Sequence, residues 1–125
     1  MLLLPMSSLR LLKVTTQIKK CKLFDKTFGK ATKQVQAKFK EFVNWKKDHP
    51  TEKFGSSDYP FTGSGNFSGF WHAKLSFDVS VIYKVEKNIV YLYGVFSHDE
   101  SGTGQPANKN KQVSLRAKLD HQEFA

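Results

Sequence analysis

Trp71–Glu100 reads WHAKLSFDVSVIYKVEKNIVYLYGVFSHDE, and this stretch decides the fold. Val79, Val81, Tyr83 and Val85 alternate with Ser80, Ile82 and Lys84, the period of a strand with two unlike faces. Ile89 to Phe96 is a second apolar run, and Glu86-Lys87-Asn88 between them is short enough to join the two as an antiparallel hairpin. Phe70 to Leu75 supplies a further strand just upstream. His72 and His98 bracket the hairpin, and Asp78 stands where its first strand begins. Groups able to move protons near neutral pH are therefore placed together on a small sheet.

Upstream of the hairpin the period changes. From Lys22 to Lys47, Phe24, Phe28, Ala31, Val35, Phe39 and Phe42 fall within one arc of a helix turning about 100° per residue. Lys22, Lys26, Lys30, Lys33, Lys40 and Lys47 gather on the opposite arc. Gly29 divides the segment into a short and a long helix, and His49-Pro50 ends it, because proline cannot continue the hydrogen-bond ladder. Before it, Leu9 to Ile18 carries β-branched Val14, Thr15, Thr16 and Ile18 and predicts a short first strand. Thr51 to Gly69, rich in Gly, Ser and Pro, reads as a loop pinned to the core by Phe54, Tyr59, Phe61 and Phe67. Downstream, GTGQP is a turn that aims a last helix over Asn108 to His121, with Val113, Leu115, Ala117 and Leu119 as its apolar side.

The expected fold is α+β: a small antiparallel or mixed sheet of about four strands, a helix or helical hairpin on one face, and a C-terminal helix. The 125 residues, 39% hydrophobic and 14% aromatic, suit one globular domain over 9–125, with residues 1–8 as a disordered leader. The opening MLLLPM has no basic n-region and is interrupted by Pro5, unlike a signal peptide, and no apolar run reaches the length of a membrane span. Cys21 is the only cysteine, so an intrachain disulfide and Cys-rich zinc sites are excluded and a reducing cytoplasm fits. Trp45 and Trp71 are expected in the core, with Trp71 alternatively stacking on a base.

The net charge of +9 is uneven: residues 1–50 hold twelve Lys/Arg against three acids, residues 51–125 eight of each sign. A focused positive field favours a polyanion. Cleaving RNA through its own 2′-hydroxyl needs a base for that proton, an acid for the leaving 5′-oxygen, and positive charge on the phosphate. Histidine, with an ordinary pKa of about 6.5, can be either acid or base. His98 is expected to act at one oxygen, with His72 acting at the other or donating to the phosphate; Asp78 orients a histidine or raises its pKa, and Lys74 supplies charge. Lys30, Lys33 and Lys40 are expected to contact RNA phosphates. The reaction needs no metal or other cofactor. His98-Asp99-Glu100 is disfavoured as a metal site, since neighbours on an extended chain point to opposite faces.

The segments HAKLSFDVSVIYKV and YGVFSHDE, together with the order of elements, resemble the RelE/ParE superfamily of bacterial type II toxin–antitoxin toxins, in particular its histidine-dependent, YafQ-type mRNA interferases. The resemblance implies a cytoplasmic bacterial endoribonuclease that cuts mRNA on the 70S ribosome and is neutralised by a cognate antitoxin. It matches His72, Asp78 and His98 to the family's catalytic positions. Two departures are visible. His72 to Tyr83 is about two residues longer than the family's pattern, placing one of Ser76 and Phe77 in a bulge, and Gly94 stands where some relatives carry an acid. One alternative is a non-enzymatic ParE-like toxin that poisons DNA gyrase, over which paired proton-transfer groups favour the nuclease; another is a basic RNA-binding module without activity.

Overall fold

The computed structural model describes residues 15–61 and 65–125. The expected leader and most of the expected first strand lie outside them; that strand is seen as β1, Gln17–Lys20. Two helices follow, α1 over Lys22–Gly29 and α2 over Lys33–Asp48, divided at Gly29 as the sequence predicts. Thr32 caps α2 by accepting from the Val35 amide at 3.2 Å. β2 (Asp58–Pro60), β3 (Trp71–Lys74), β4 (Val79–Glu86) and β5 (Ile89–Ser97) come next, then α3 (His98–Ser101) and α4 (Lys109–Asp120). Among the described residues no helix is long and apolar enough to cross a membrane.

The sheet has five strands in the order β1-β5-β4-β3-β2, with β1 parallel to β5 and every other pair antiparallel. The extra strand, β2, comes from the stretch read as a loop. It is three residues long and ends in Pro60, too short to show a period. What holds it is a buried ion pair: Lys46 Nζ lies 2.9 Å from Asp58 Oδ2, with side chains 2% and 0% exposed. Asp58 also accepts from the Tyr83 hydroxyl and from the Phe54 amide at 2.7 Å, while Lys46 donates to the Glu52 carbonyl at 2.6 Å. Burial, with this hydrogen bond and the carboxylate's charge, pushes the Tyr83 hydroxyl far above its ordinary pKa, so it remains a donor.

Strand alternation assigns the two faces. Ala73, Val81, Tyr83 and Val95 point to the side covered by Phe24, Val35, Phe39 and Phe42 of α1 and α2. Ile82 and Phe96 point to the other side, where Phe67, Phe70 and, from α4, Leu115 and Leu119 close a second core. Within α4 the buried positions are Gln112, Leu115 and Leu119, whereas Val113, expected inside, is 56% exposed. Gln112 takes the inward place because its amide donates to the Gly102 carbonyl at 2.8 Å and accepts from Asn66 at 2.9 Å. Trp45, expected in the core, instead stacks on His49 at 3.9 Å near the end of α2 and donates to the Glu52 carbonyl. Trp71 does pack against the larger core.

Candidate active site

β3 presents His72 and Lys74 on the face opposite Ala73, and register places His72 beside Ile82 and Lys74 beside Ser80. Ser80 in turn pairs with Phe96 of β5, one residue short of the strand's end. At that end Ser97 accepts from the Glu100 amide at 3.1 Å while the Glu100 carboxylate accepts from the Ser97 amide at 2.8 Å, a capping box that starts α3. His98 is thus the first residue of a helical turn and not part of an extended chain, and Glu100 is spent on the cap. The His98 amide donates to the Asp78 carbonyl at 3.0 Å, and its Nδ1 lies 3.7 Å from the Asp78 carboxylate.

Both rings line one groove of about 410 Å³, whose walls include Tyr59, Phe61, His72, Lys74, Ser80 and His98. Residues 103–105 and Ala107 close it on the α4 side. His72 sits between two aromatic rings, stacked on Phe61 at 4.2 Å and edge-on to Tyr59 at 4.6 Å. Burial first, then repulsion from the His98 imidazole when that is protonated, hold its pKa below the ordinary histidine value; the Asp58 carboxylate pulls the other way, and Lys74 adds a smaller push downward. The His72 imidazole is therefore more readily neutral than an ordinary histidine. Asp78 does not line the groove; it reaches the site only through His98.

The lysines divide. Lys74 lines the groove, and its ammonium also lies 5.9 Å from the ring of Phe77, which is 92% exposed. Lys33 and Lys40 are exposed on α2, on the far side of the sheet, and do not reach the histidines. Lys30 lines a different hollow, with Lys26, Lys111 and Lys118. The expected phosphate contacts of Lys30, Lys33 and Lys40 thus fall outside the histidine groove, because the apolar arc of α1 and α2 is bound to the opposite sheet face. Trp71 shares that opposite face and cannot stack on a base in the groove. Among the described residues no group of three or more His, Cys, Asp or Glu gathers as a metal site.

No protein-family model matches the sequence, and no curated protein is significantly similar to it. Solved structures do match in three dimensions. YafQ in the E. coli DinJ-YafQ toxin–antitoxin complex superposes with a TM-score of 0.57 at 19% identity, covering 69% of this chain and 96% of that one. The Pyrococcus horikoshii RelE-RelB complex gives 0.53 at 20% identity, covering 67% and 96%. A YoeB/ParE toxin from Agrobacterium tumefaciens gives 0.56 at 12% identity, covering 66% and 99%. The chain has the RelE/ParE toxin fold.

On this RelE/ParE frame the two departures acquire physical reasons. Ser76, Phe77 and Asp78 form the β3–β4 turn, closed by the Leu75 amide donating to the Val79 carbonyl at 2.8 Å, so the bulge expected at Ser76 or Phe77 is instead part of a turn. The bulge that does occur is on β5, where Ile82 pairs with Gly94 and Tyr83 with Leu92, leaving Tyr93 without an opposite residue. At Gly94 a Cβ would lie 2.5 Å from the Phe96 ring, so an acidic side chain has no room without displacing the groove's floor.

Sequence reasoning missed the residues that shape the groove. Tyr59 and Phe61 hold His72, and Gly102 sets the wall beyond His98. Gly102 ends α3 at φ 76°, and its carbonyl accepts from the Asn108 amide at 2.9 Å and from Gln112. A Cβ there would stand 2.4 Å from the Asn108 carbonyl oxygen. Gly102→Ala is expected to lower stability by about 2–4 kcal/mol, strain plus overpacking, read as a shift of the urea midpoint. The Ser-x-x-Glu spacing of residues 97–100 was the one legible sign that a helix begins at His98.

Proposed function

We propose that the protein is the toxin of a type II toxin–antitoxin pair: an endoribonuclease that cleaves mRNA on the 70S ribosome and is held inactive by a cognate antitoxin. The observation that carries this reading is the convergence of His72, His98 and Lys74 on one groove. The structural likeness to YafQ, solved in a toxin–antitoxin complex with DinJ, and to RelE, solved in complex with RelB, supports it. His72, kept neutral, takes the proton of the 2′-hydroxyl. The 2′-oxygen attacks the adjacent phosphorus, and His98, set in place by Asp78, delivers a proton to the departing 5′-oxygen. Lys74 stabilises the charge that builds on the phosphoryl oxygens. The products are a 2′,3′-cyclic phosphate and a 5′-hydroxyl, with protons and charge balanced between the two imidazoles.

The deciding experiment maps new 5′ ends in cellular mRNA after brief expression without antitoxin. Cuts inside translated codons, bearing 5′-hydroxyls, are the expected result; intact transcripts with altered DNA supercoiling would overturn it in favour of gyrase poisoning.

The direction of the His72 shift also fixes a pH dependence. A base must be unprotonated, so the acid limb of kcat/KM is expected below pH 6.5, about the ordinary histidine value. Stability follows the same sign: the folded state binds the His72 proton less well than the unfolded chain, so stability falls as pH drops from about 6.5 through the folded value. His72→Phe should flatten that part of a denaturation-midpoint profile against pH.

A further inference from the structure

Ser80 is the odd residue of the groove. It stands in the middle of β4, 6% exposed, and its hydroxyl is fully buried with no hydrogen-bond partner among the described residues. A buried donor left unmet is costly, and native structures keep few of them without a reason. Alanine or valine would fill a central strand position without that cost. The place it occupies supplies the reason: Ser80 is paired with Lys74 on one side and Phe96 on the other, on the sheet face that carries His72, and it lines the same groove as both histidines.

We propose that the Ser80 hydroxyl is a hydrogen-bond donor to a non-bridging oxygen of the scissile phosphate in single-stranded RNA, partnering Lys74 in stabilising the negative charge of the transition state. The inference rests on the nuclease reading and deepens it. Lys74 brings the charge on a flexible stem, whereas a hydroxyl on a central strand is fixed by the sheet. A donor already in place needs little reorganisation as charge develops, which is where such groups contribute most. The hydroxyl carries almost no exposed surface in the free protein, so the phosphate meets it as the neighbouring Lys74 stem swings aside, and its unmet state is satisfied then.

The test compares Ser80→Ala and Ser80→Thr with the unaltered protein, measuring mRNA cleavage in a translating extract together with thermal unfolding. Ser80→Ala is expected to lower kcat by about 10²-fold with little change in KM, while its melting temperature stays level or rises. Ser80→Thr, which keeps the hydroxyl, should recover most of the rate. A phosphorothioate at the scissile position should slow the unaltered protein more than Ser80→Ala, because the variant has no donor left to lose. Unchanged cleavage by Ser80→Ala overturns the proposal, and so does a slower variant whose melting temperature falls in step, since that marks a structural hydroxyl. If the unaltered protein cuts no transcript, the nuclease reading itself fails and takes this inference with it.

Discussion

Cells expressing the His98→Ala chain without antitoxin should grow normally, and the purified variant should cleave mRNA about 10²–10⁴-fold more slowly than the unaltered protein. The loss is assigned to chemistry because little of the fold rests on the His98 ring. Its backbone, which alanine retains, makes the contacts to the Asp78 and Thr103 main chain, and the capping box belongs to Ser97 and Glu100. Far-ultraviolet circular dichroism and the melting temperature should therefore be nearly unchanged. Undiminished toxicity would remove His98 from the mechanism and leave the groove to serve binding alone. Asp78→Asn, which keeps the backbone carbonyl that receives the His98 amide, should cost less than His98→Ala, since only the facing carboxylate changes.

The largest effect on stability is expected far from the histidines, at Asp58. Asp58→Ala strands the buried Lys46 ammonium and deprives Tyr83 and the Phe54 amide of their acceptor. Removing one member of a buried pair costs about 3–5 kcal/mol, which for a domain of this size lowers the melting temperature by roughly 10–20 °C. A double variant, Lys46→Met with Asp58→Leu, should regain part of that loss, since no charge is then left unpaired. Calorimetry on the single and double variants gives the comparison, and additive losses would show that the pair is not a unit. The effect reaches the groove as well: Asp58 precedes Tyr59, and Tyr59 pairs with His72 across β2 and β3. Loosening β2 should therefore raise KM even in the fraction that remains folded.

The parts of the fold that were legible in the sequence are those governed by a repeating pattern. The β4–β5 hairpin and the divided helix emerge from periods of 2 and 3.6 residues sustained over many positions. β2 was not legible because three residues carry no period and its stability comes from Lys46, a charge placed on a helix whose other lysines face solvent. Val113 was misjudged for a related reason: hydrophobicity favours it inside, but the buried Gln112 amide with two partners outweighs one isopropyl group. In the groove, the two histidines and Lys74 that the structure brings together could be named from the chain, since histidines are few and the hairpin fixes their neighbours. The relation of the lysine stripe to them could not be. Which sheet face a helix covers is decided by the crossing of the chain, not by the residues that line the helix.

β5 is longer than the strand beside it, for β1 stops opposite Leu92. Beyond that point α1 takes over the exposed main chain: the Thr27 hydroxyl accepts from the Val95 amide at 2.9 Å, and the Cys21 thiol reaches the Tyr93 carbonyl at 3.4 Å. The outermost strands are four and three residues long, the latter ending in proline. The two long apolar strands are thus denied to neighbouring molecules, a built-in protection against fibrous self-association.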